Sequence, residues 1–324
     1  MKSPLLTCSL VVALVALGAI GVRHEAHVRL DREISRFRAT LPPGASFTYS
    51  RAIPHILTRG AEFRNVRYTE DGTTLTAMSL YARSVSGNAV TGMHLGLLRT
   101  TSLTVSRNGG NVMIDDARVS DLNLPATAAE GNDGALSVLW LMHFRNAMVT
   151  RLNVQTLNPG CNTTVTDISV ENYGVHIGSD YALNNARLHC LLPPLTPRPG
   201  DLPVVRAPID GRLDHADGRH IDLALTVQQI AASVTGRPDF VPVMDSTKEP
   251  PQSTFGLTGL GFTQGGAAIA IPSATMESHT EGNDSRARMT VPDLRILMNG
   301  RPALAMLDGG LVAIEARAVS DNIS

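Results

Sequence analysis

Along residues 114–124, IDDARVSDLNL, the apolar side chains stand at 114, 117, 119, 122 and 124, so steps of two are broken by steps of three. At 100° per residue these positions scatter around a helical wheel, which argues against an amphipathic helix. Strand alternation is restored if each step of three hides one extra residue, a bulge or tight bend. The template is apolar, any, Asn or Asp, apolar, any, apolar. It returns at 63–68 (FRNVRY), 144–149 (FRNAMV), 165–170 (VTDISV), 183–188 (LNNARL) and 291–296 (VPDLRI). In four copies another apolar residue follows three positions on, at Leu122, Leu152, Tyr173 and Leu191. Asn and Asp suit such a bend because both tolerate left-handed backbone and bond to nearby amides. The alternative to internal repetition is chance, since short alternations abound in β-rich chains.

Between residues 44 and 192 the pattern predicts successive strands rich in Thr, Val and Ser (TTLTAMSL, TTSLTVS, NTTVTDISV), residues suited to a pleated, half-exposed surface. Asp71-Gly72 and Asn108-Gly109 fall between alternating segments, the chemistry of tight hairpins and hence of antiparallel neighbours. Asp217-Gly218 reads as a hairpin joining RLDHA to RHIDLALTV, and Asn299-Gly300 and Asp308-Gly309 as later turns. Residues 136–142, LSVLWLM, hold the single tryptophan, Trp140, and read as a buried strand or short core helix. The expected fold is mainly β: an N-terminal helix, then an extended, curved, largely antiparallel sheet of irregular repeats. Its candidate apolar face consists of Ile114, Ala117, Val119, Phe144, Ala147, Val149, Val165, Ile168 and Val170.

Residues 4–22 are apolar or small and uncharged, and nineteen residues at 1.5 Å rise reach roughly 28 Å, the thickness of a hydrocarbon core. Ala19-Ile20-Gly21 offers a loose cleavage site, so a removed signal peptide is one reading. An uncleaved anchor is the preferred one, because Ala26, Leu30, Ile34, Phe37 and Leu41 continue as one helical face until Pro42-Pro43-Gly44. Arginines on the C-terminal flank run against the positive-inside bias, with Glu25, Asp31 and Glu33 mixed among them. The chain then divides into an anchor and amphipathic helix (1–43), a β-repeat region (44–192), a proline-rich linker or loop (193–205) and a second β-rich region (206–324). Residues 237–253 read as a further loop.

Composition narrows the class. A hydrophobic share of 43% supports a core, and a net charge of -1 gives no basic field for nucleic acid. Two lysines, Lys2 and Lys248, stand against 26 arginines, a coding bias that points to a bacterial source. Cys161 and Cys190 are the cysteines outside the anchor, where Cys8 precedes most of the apolar run and does not read as a lipid attachment site. In an oxidising compartment the pair could close a loop of about 30 residues as a disulfide, and two free thiols are the alternative.

The search for chemistry finds no CxxC pair, P-loop, GxSxG elbow or HExxH. HEAH at 24–27 lacks one residue of zincin spacing and reads as a solvated helix face. Asp210, Asp214, His215, Asp217, His220 and Asp222 form the densest polar cluster. A divalent-metal site on the proposed hairpin is weighed there against a polar edge around a turn, and the polar edge is preferred. Glycines of GLTGLGFTQGG do not match a dinucleotide fingerprint and read as bends. No cofactor is called for and no catalytic residue is assigned.

The 4–22 segment, the charged helix to Leu41 and the recurrent EFRNVRY, IDDARVSDLNL and NNARL together resemble the AsmA-like proteins of the bacterial envelope. That resemblance covers most of the chain. It implies an inner-membrane span, a periplasmic sheet curling into a groove, and contact with phospholipid acyl chains or a role in envelope integrity. The chain is much shorter than the large bridging members. Three readings follow: a non-enzymatic, inner-membrane-anchored protein handling phospholipid or maintaining the envelope; a structural module docking another envelope protein; and a β-helix carbohydrate-active enzyme. Irregular spacing and Asp/Asn-Gly hairpins count against the last.

Overall fold

Alternation interrupted by shared steps of three builds a single open antiparallel sheet in the computed structural model. The structure describes residues 28–125, 141–192, 206–224, 252–302 and 312–319, apart from short gaps at 29, 33, 36–37, 40, 42, 71, 89–91, 108, 158–159 and 282–283. The strands are β1 (Ser46–Thr48), β2 (Arg51–His55), β3 (Gly60–Glu70), β4 (Thr73–Asn88), β5 (Gly92–Arg107), β6 (Gly110–Leu124), β7 (Phe144–Leu157) and β8 (Gly160–Tyr173). They continue as β9 (Ser179–Leu191), β10 (Ile209–Ile221), β11 (Gln252–Gln264), β12 (Ala267–Glu281), β13 (Asp284–Val291), β14 (Arg295–Met298), β15 (Arg301–Pro302) and β16 (Val312–Val319). Neighbours in space are neighbours in sequence from β3 to β13, and β9 pairs directly with β10, so one sheet runs through both β-rich regions.

Two-residue connections at one end of the sheet fix its register. Glu70 pairs with Thr73, Arg107 with Gly110, Leu157 with Gly160 and Gln264 with Ala267. Five residues from three of these turns lies a common level. Arg64↔Ser79 and Val66↔Ala77 place Asn65 beside Met78, and Thr101↔Asp116 and Leu103↔Ile114 place Ser102 beside Asp115. Thr258↔Ser273 and Leu260↔Ile271 place Gly259 beside Pro272. Asn65 (φ +49°), Ser102 (+50°), Asp167 (+49°), Asn185 (+48°) and Gly259 (+67°) are left-handed on or next to this level. At the sheet margins the strand itself breaks there: β1 and β2 part opposite Asn65, and β13 and β14 part opposite Pro272, at the 291–296 copy of the template.

A second level runs six residues away, about 20 Å at strand rise. It carries left-handed Ser84 (φ +53°), Asp121 (+52°), Asn172 (+57°) and His220 (+53°), on β4, β6, β8 and β10. Gly96 sits beside Ser84, where a Cβ would stand 2.7 Å from the serine Cβ. These two levels account for the steps of three seen in the sequence except 188→191, which lies at the end of β9 opposite Gly160. They are not bulges, because each neighbouring strand makes the same step at the same height and the ladder keeps its count. Register shifts arise only around Thr166 in β8–β9 and between Gly218 and Ile221 in β9–β10 among the described ladders. At a left-handed position Asp is tolerated and Val is not. Asp167→Val should therefore lose about 1–2 kcal/mol in urea unfolding, while Asp167→Gly stays within a few tenths; equal losses would show that the left-handed backbone is not what the site requires.

The bends turn the apolar face inward. Phe47, opposite Tyr68, is five residues along the sheet from Phe63, yet their ring centroids lie 6.2 Å apart, with Tyr49 5.4 Å from Phe63. Leu30 and Ile34, each 1% exposed, join this core, as do Phe63, Tyr68, Leu80 and Leu95. Arg38 donates to the Phe47 carbonyl and lies over the Tyr49 ring, tying that segment to β1. The described residues between 28 and 39 carry helical backbone, and the helix expected over 24–41 lies in part outside the described residues. Among the described residues no helix is long and apolar enough to cross a membrane. The 4–22 span, the HEAH stretch, Trp140, residues 193–205, most of 237–253 and the Asp308-Gly309 turn lie outside the described residues.

Asp217-Gly218 is not a turn. Both residues lie within β10, paired with Ala182 and Tyr181 on one side and Gly256 and Phe255 on the other. The glycine serves packing: a Cβ at 218 would come 2.4 Å from the Tyr181 ring. Asn299-Gly300 does turn, with both residues at positive φ between β14 and β15.

Candidate functional site

The candidate face residues come together as rows. Val119, Ala147 and Val170 are successive register partners on β6, β7 and β8, as are Ala117, Val149 and Ile168. Ile114 and Val165 share a third row through Leu152, and Phe144 stacks on Tyr173 with centroids 4.8 Å apart. Of the nine, Phe144 is buried, and Val119, Ala147 and Val170 pack against the core; Ile114, Ala117, Val149, Val165 and Ile168 are half-buried. Leu122 and Tyr173 also turn inward, whereas Leu191, at the end of β9, is exposed.

Each row extends well beyond β8. One runs Ala61, Ala82, Leu98, Val119, Ala147, Val170, Tyr181, Gly218, Phe255, Met276 and Met289, a partner on every strand from β3 to β13. Another passes from Tyr68 and Leu75 through Val105, Val112 and Val154 to Leu188, Phe262, Ile269 and Ile296. The cover does not extend as far. After β8 the buried apolar residues described on strands are Cys190, Ala216, Ala274 and Val291, while Phe262 is 39% and Ile269 44% exposed.

The opposite face is polar and laced across strands. Ser79 and Thr101 share a hydrogen bond, Asn153 donates to Asn162 and Thr164, and Arg99–Asp116, Arg145–Asp121 and Arg151–Asp115 form ion pairs. Such cross-strand pairs hold long strands in register. Cys161 and Cys190 are register partners on β8 and β9, with sulfur atoms 2.11 Å apart in a disulfide. Only knowledge of the β8–β9 register could have distinguished this from free thiols.

The polar cluster expected around 210–222 is dispersed. Asp210 pairs with His189, His215 bonds Asn184, Asp180 accepts from the His220 amide, and Asp222 accepts from the His176 amide. Strung along β10 instead of folded over a hairpin, the cluster brings together His215 and Asp217, 3.4 Å apart, and not the whole set. No group of three metal-capable side chains occurs among the described residues. Near Asp222, burial first and its carboxylate second push the Tyr173 hydroxyl up to about 12, so at neutral pH this phenol is an uncharged hydrogen-bonding group. The Tyr181 hydroxyl is raised likewise, by burial and then by Asp217. Compared with family models, curated proteins and solved structures, the chain matches none.

Proposed function

We propose that this chain is an inner-membrane-anchored envelope protein of AsmA-like type, its sheet in the periplasm, and that the uncovered part of its apolar face shelters the acyl chains of a phospholipid. One observation carries the reading: apolar rows continue across the sheet to β12 and β14, while among the described residues the main buried cluster takes no strand residue beyond β8. Left half-exposed, side chains such as Leu188, Leu213, Leu260 and Phe262 favour an apolar ligand by about 0.8 kcal/mol for each methylene removed from water. Residues 4–22 would supply the anchor, and the Cys161–Cys190 bridge suits an oxidising compartment. Nothing in this role needs a catalytic group or cofactor.

The test is native mass spectrometry with lipid extraction on the full chain taken from membranes. Stoichiometric phospholipid is expected, and it should be lost in Phe262→Asp but kept in Met148→Asp, which changes the opposite, exposed face. A folded, lipid-free protein would reject the reading. It would favour a face docked against another envelope protein.

A further inference from the structure

Arg187 on β9 and Arg212 on β10 are register partners, so two guanidinium groups leave one face of the sheet side by side. Like charges directly opposed on an antiparallel pair are destabilising. Neither arginine makes an ion pair among the described residues. The neighbouring carboxylate of Asp210 is held by His189 Nδ1 at 2.7 Å, and Arg295, on the same level beyond β12, is held by Asp293 at 2.6 Å. Both free guanidinium groups border a hollow of about 550 Å³ with Thr164, His189, Asp210 and Thr263, and Leu188, Phe262 and Ile269, which alternate with them along the strands, line it too. Gly261, the register partner of Arg212, keeps it open, since a Cβ there would stand 3.3 Å from Arg212 Nε.

We propose that this hollow binds a phosphate ester whose organic part carries hydroxyl groups. A carboxylate is satisfied by one guanidinium fork, whereas the tetrahedrally placed outer oxygens of a phosphate ester, three in a monoester and two in a diester, accept from two forks at once. Placed between Arg187 and Arg212, the anion relieves their mutual repulsion. Asp210 repels it, which sets its orientation: phosphate towards the arginines, hydroxyl groups towards His189 and Asp210. Thr164 Oγ1 accepts from Asn153, leaving its own O–H to donate. Arg187 and Arg212 alternate with Leu188 and Gly211 along their strands and so leave the face opposite the apolar side chains, and the anion contact stands whether or not a lipid chain occupies those rows. A soluble polyol phosphate, a monoester, and the glycerophosphate headgroup of a membrane lipid, a diester with two outer oxygens, share an anionic phosphate next to a hydroxylated carbon chain.

Calorimetry on the full chain in uncharged detergent separates the two, with glycerol phosphate, phosphatidylglycerol in mixed micelles, and phosphatidylcholine, whose headgroup carries a cation and no hydroxyl. Binding of glycerol phosphate identifies a soluble ester as sufficient; binding of phosphatidylglycerol alone identifies a lipid headgroup. In either case Arg187→Gln and Arg212→Gln should each weaken binding about tenfold, and Gly261→Val should remove it by filling the hollow. Without ligand, Arg187→Gln should melt at or above the wild-type temperature, because a repulsion is gone. The proposal fails if no phosphate ester binds, if the three variants bind as the wild type does, or if unliganded Arg187→Gln melts lower, which would mark the arginine as structural.

Discussion

Phe63→Ala should lower the unfolding free energy by about 3–5 kcal/mol, and Phe262→Ala by about 1 kcal/mol or less. Both rings project from the same face of the same sheet. Phe63 is fully buried, with Phe47 and Tyr49 against it edge-on, so truncation leaves a cavity that the long, hydrogen-bonded strands around it cannot close. Phe262 is 39% exposed, with its ring edge over Gly211. Urea unfolding of lipid-stripped full-length variants measures the difference. Comparable losses at the two positions would mean that the face beyond β8 is packed by protein, and the lipid reading would lose its support. A small loss for Phe262→Ala in stripped protein that grows when lipid is restored would instead place a ligand on that ring, because ligand binding to the folded state adds to its stability.

The sequence made the bends legible but not their alignment. Steps of three at 63→66, 114→117, 165→168 and 183→186 mark places where inside and outside exchange, and Asn65, Asp167 and Asn185 are left-handed there. Asn146 and Asp116 occupy the same place in the template and are not left-handed, because the bend on those levels is carried by a neighbouring strand. Ser84, Ser102 and His220 adopt the conformation with no Asn or Asp to announce it. What a single strand cannot reveal is that its neighbours bend at the same height. That height follows from the two-residue turns: Asn65 and Met78 are each five residues from the closing pair Glu70–Thr73, and Ser102 and Asp115 each five from the closing pair Arg107–Gly110. Spacing measured from turn to bend, in place of bulge chemistry, is the signal that would have found the shared fold lines.

The same dependence on register hid the polar sites. Asp-Gly at 217–218 carries the composition of a hairpin, yet the glycine makes room for an aromatic ring on the next strand. Arg187 and Arg212 look unrelated in sequence, 25 residues apart (212 − 187) across a proline-rich stretch, and become neighbours only through the β9–β10 ladder. The apolar rows were more accessible, since six-residue templates show which side chains share a face. How far those rows outrun the core was not, because burial depends on what packs over a face, and periodicity is silent on that.

Loss of the Cys161–Cys190 bridge should cost about 3–4 kcal/mol in the chain-entropy view, for a closed loop of about 30 residues. The bridge joins directly opposed residues, with Cα atoms 4.0 Å apart, close to the spacing of a non-hydrogen-bonded antiparallel pair. It lies near the end of β8 and β9, one residue pair from the turn-side end of the ladder, where Gly160 pairs with Leu191. At the bend level the same ladder is irregular around Thr166, so that interval has fewer regular backbone pairs than its neighbours. A covalent clamp in the regular end of the ladder, five residues from that interval, holds the two strands together beside it. Cys161→Ala, Cys190→Ala and the double variant should therefore lose similar amounts, with little additivity, because each single change already removes the whole bridge. Non-reducing peptide mapping of the wild type should recover the linked pair, and reductant should lower its unfolding midpoint to that of the variants. Two free thiols, or a midpoint unmoved by reductant, would remove the clamp from the account of this sheet.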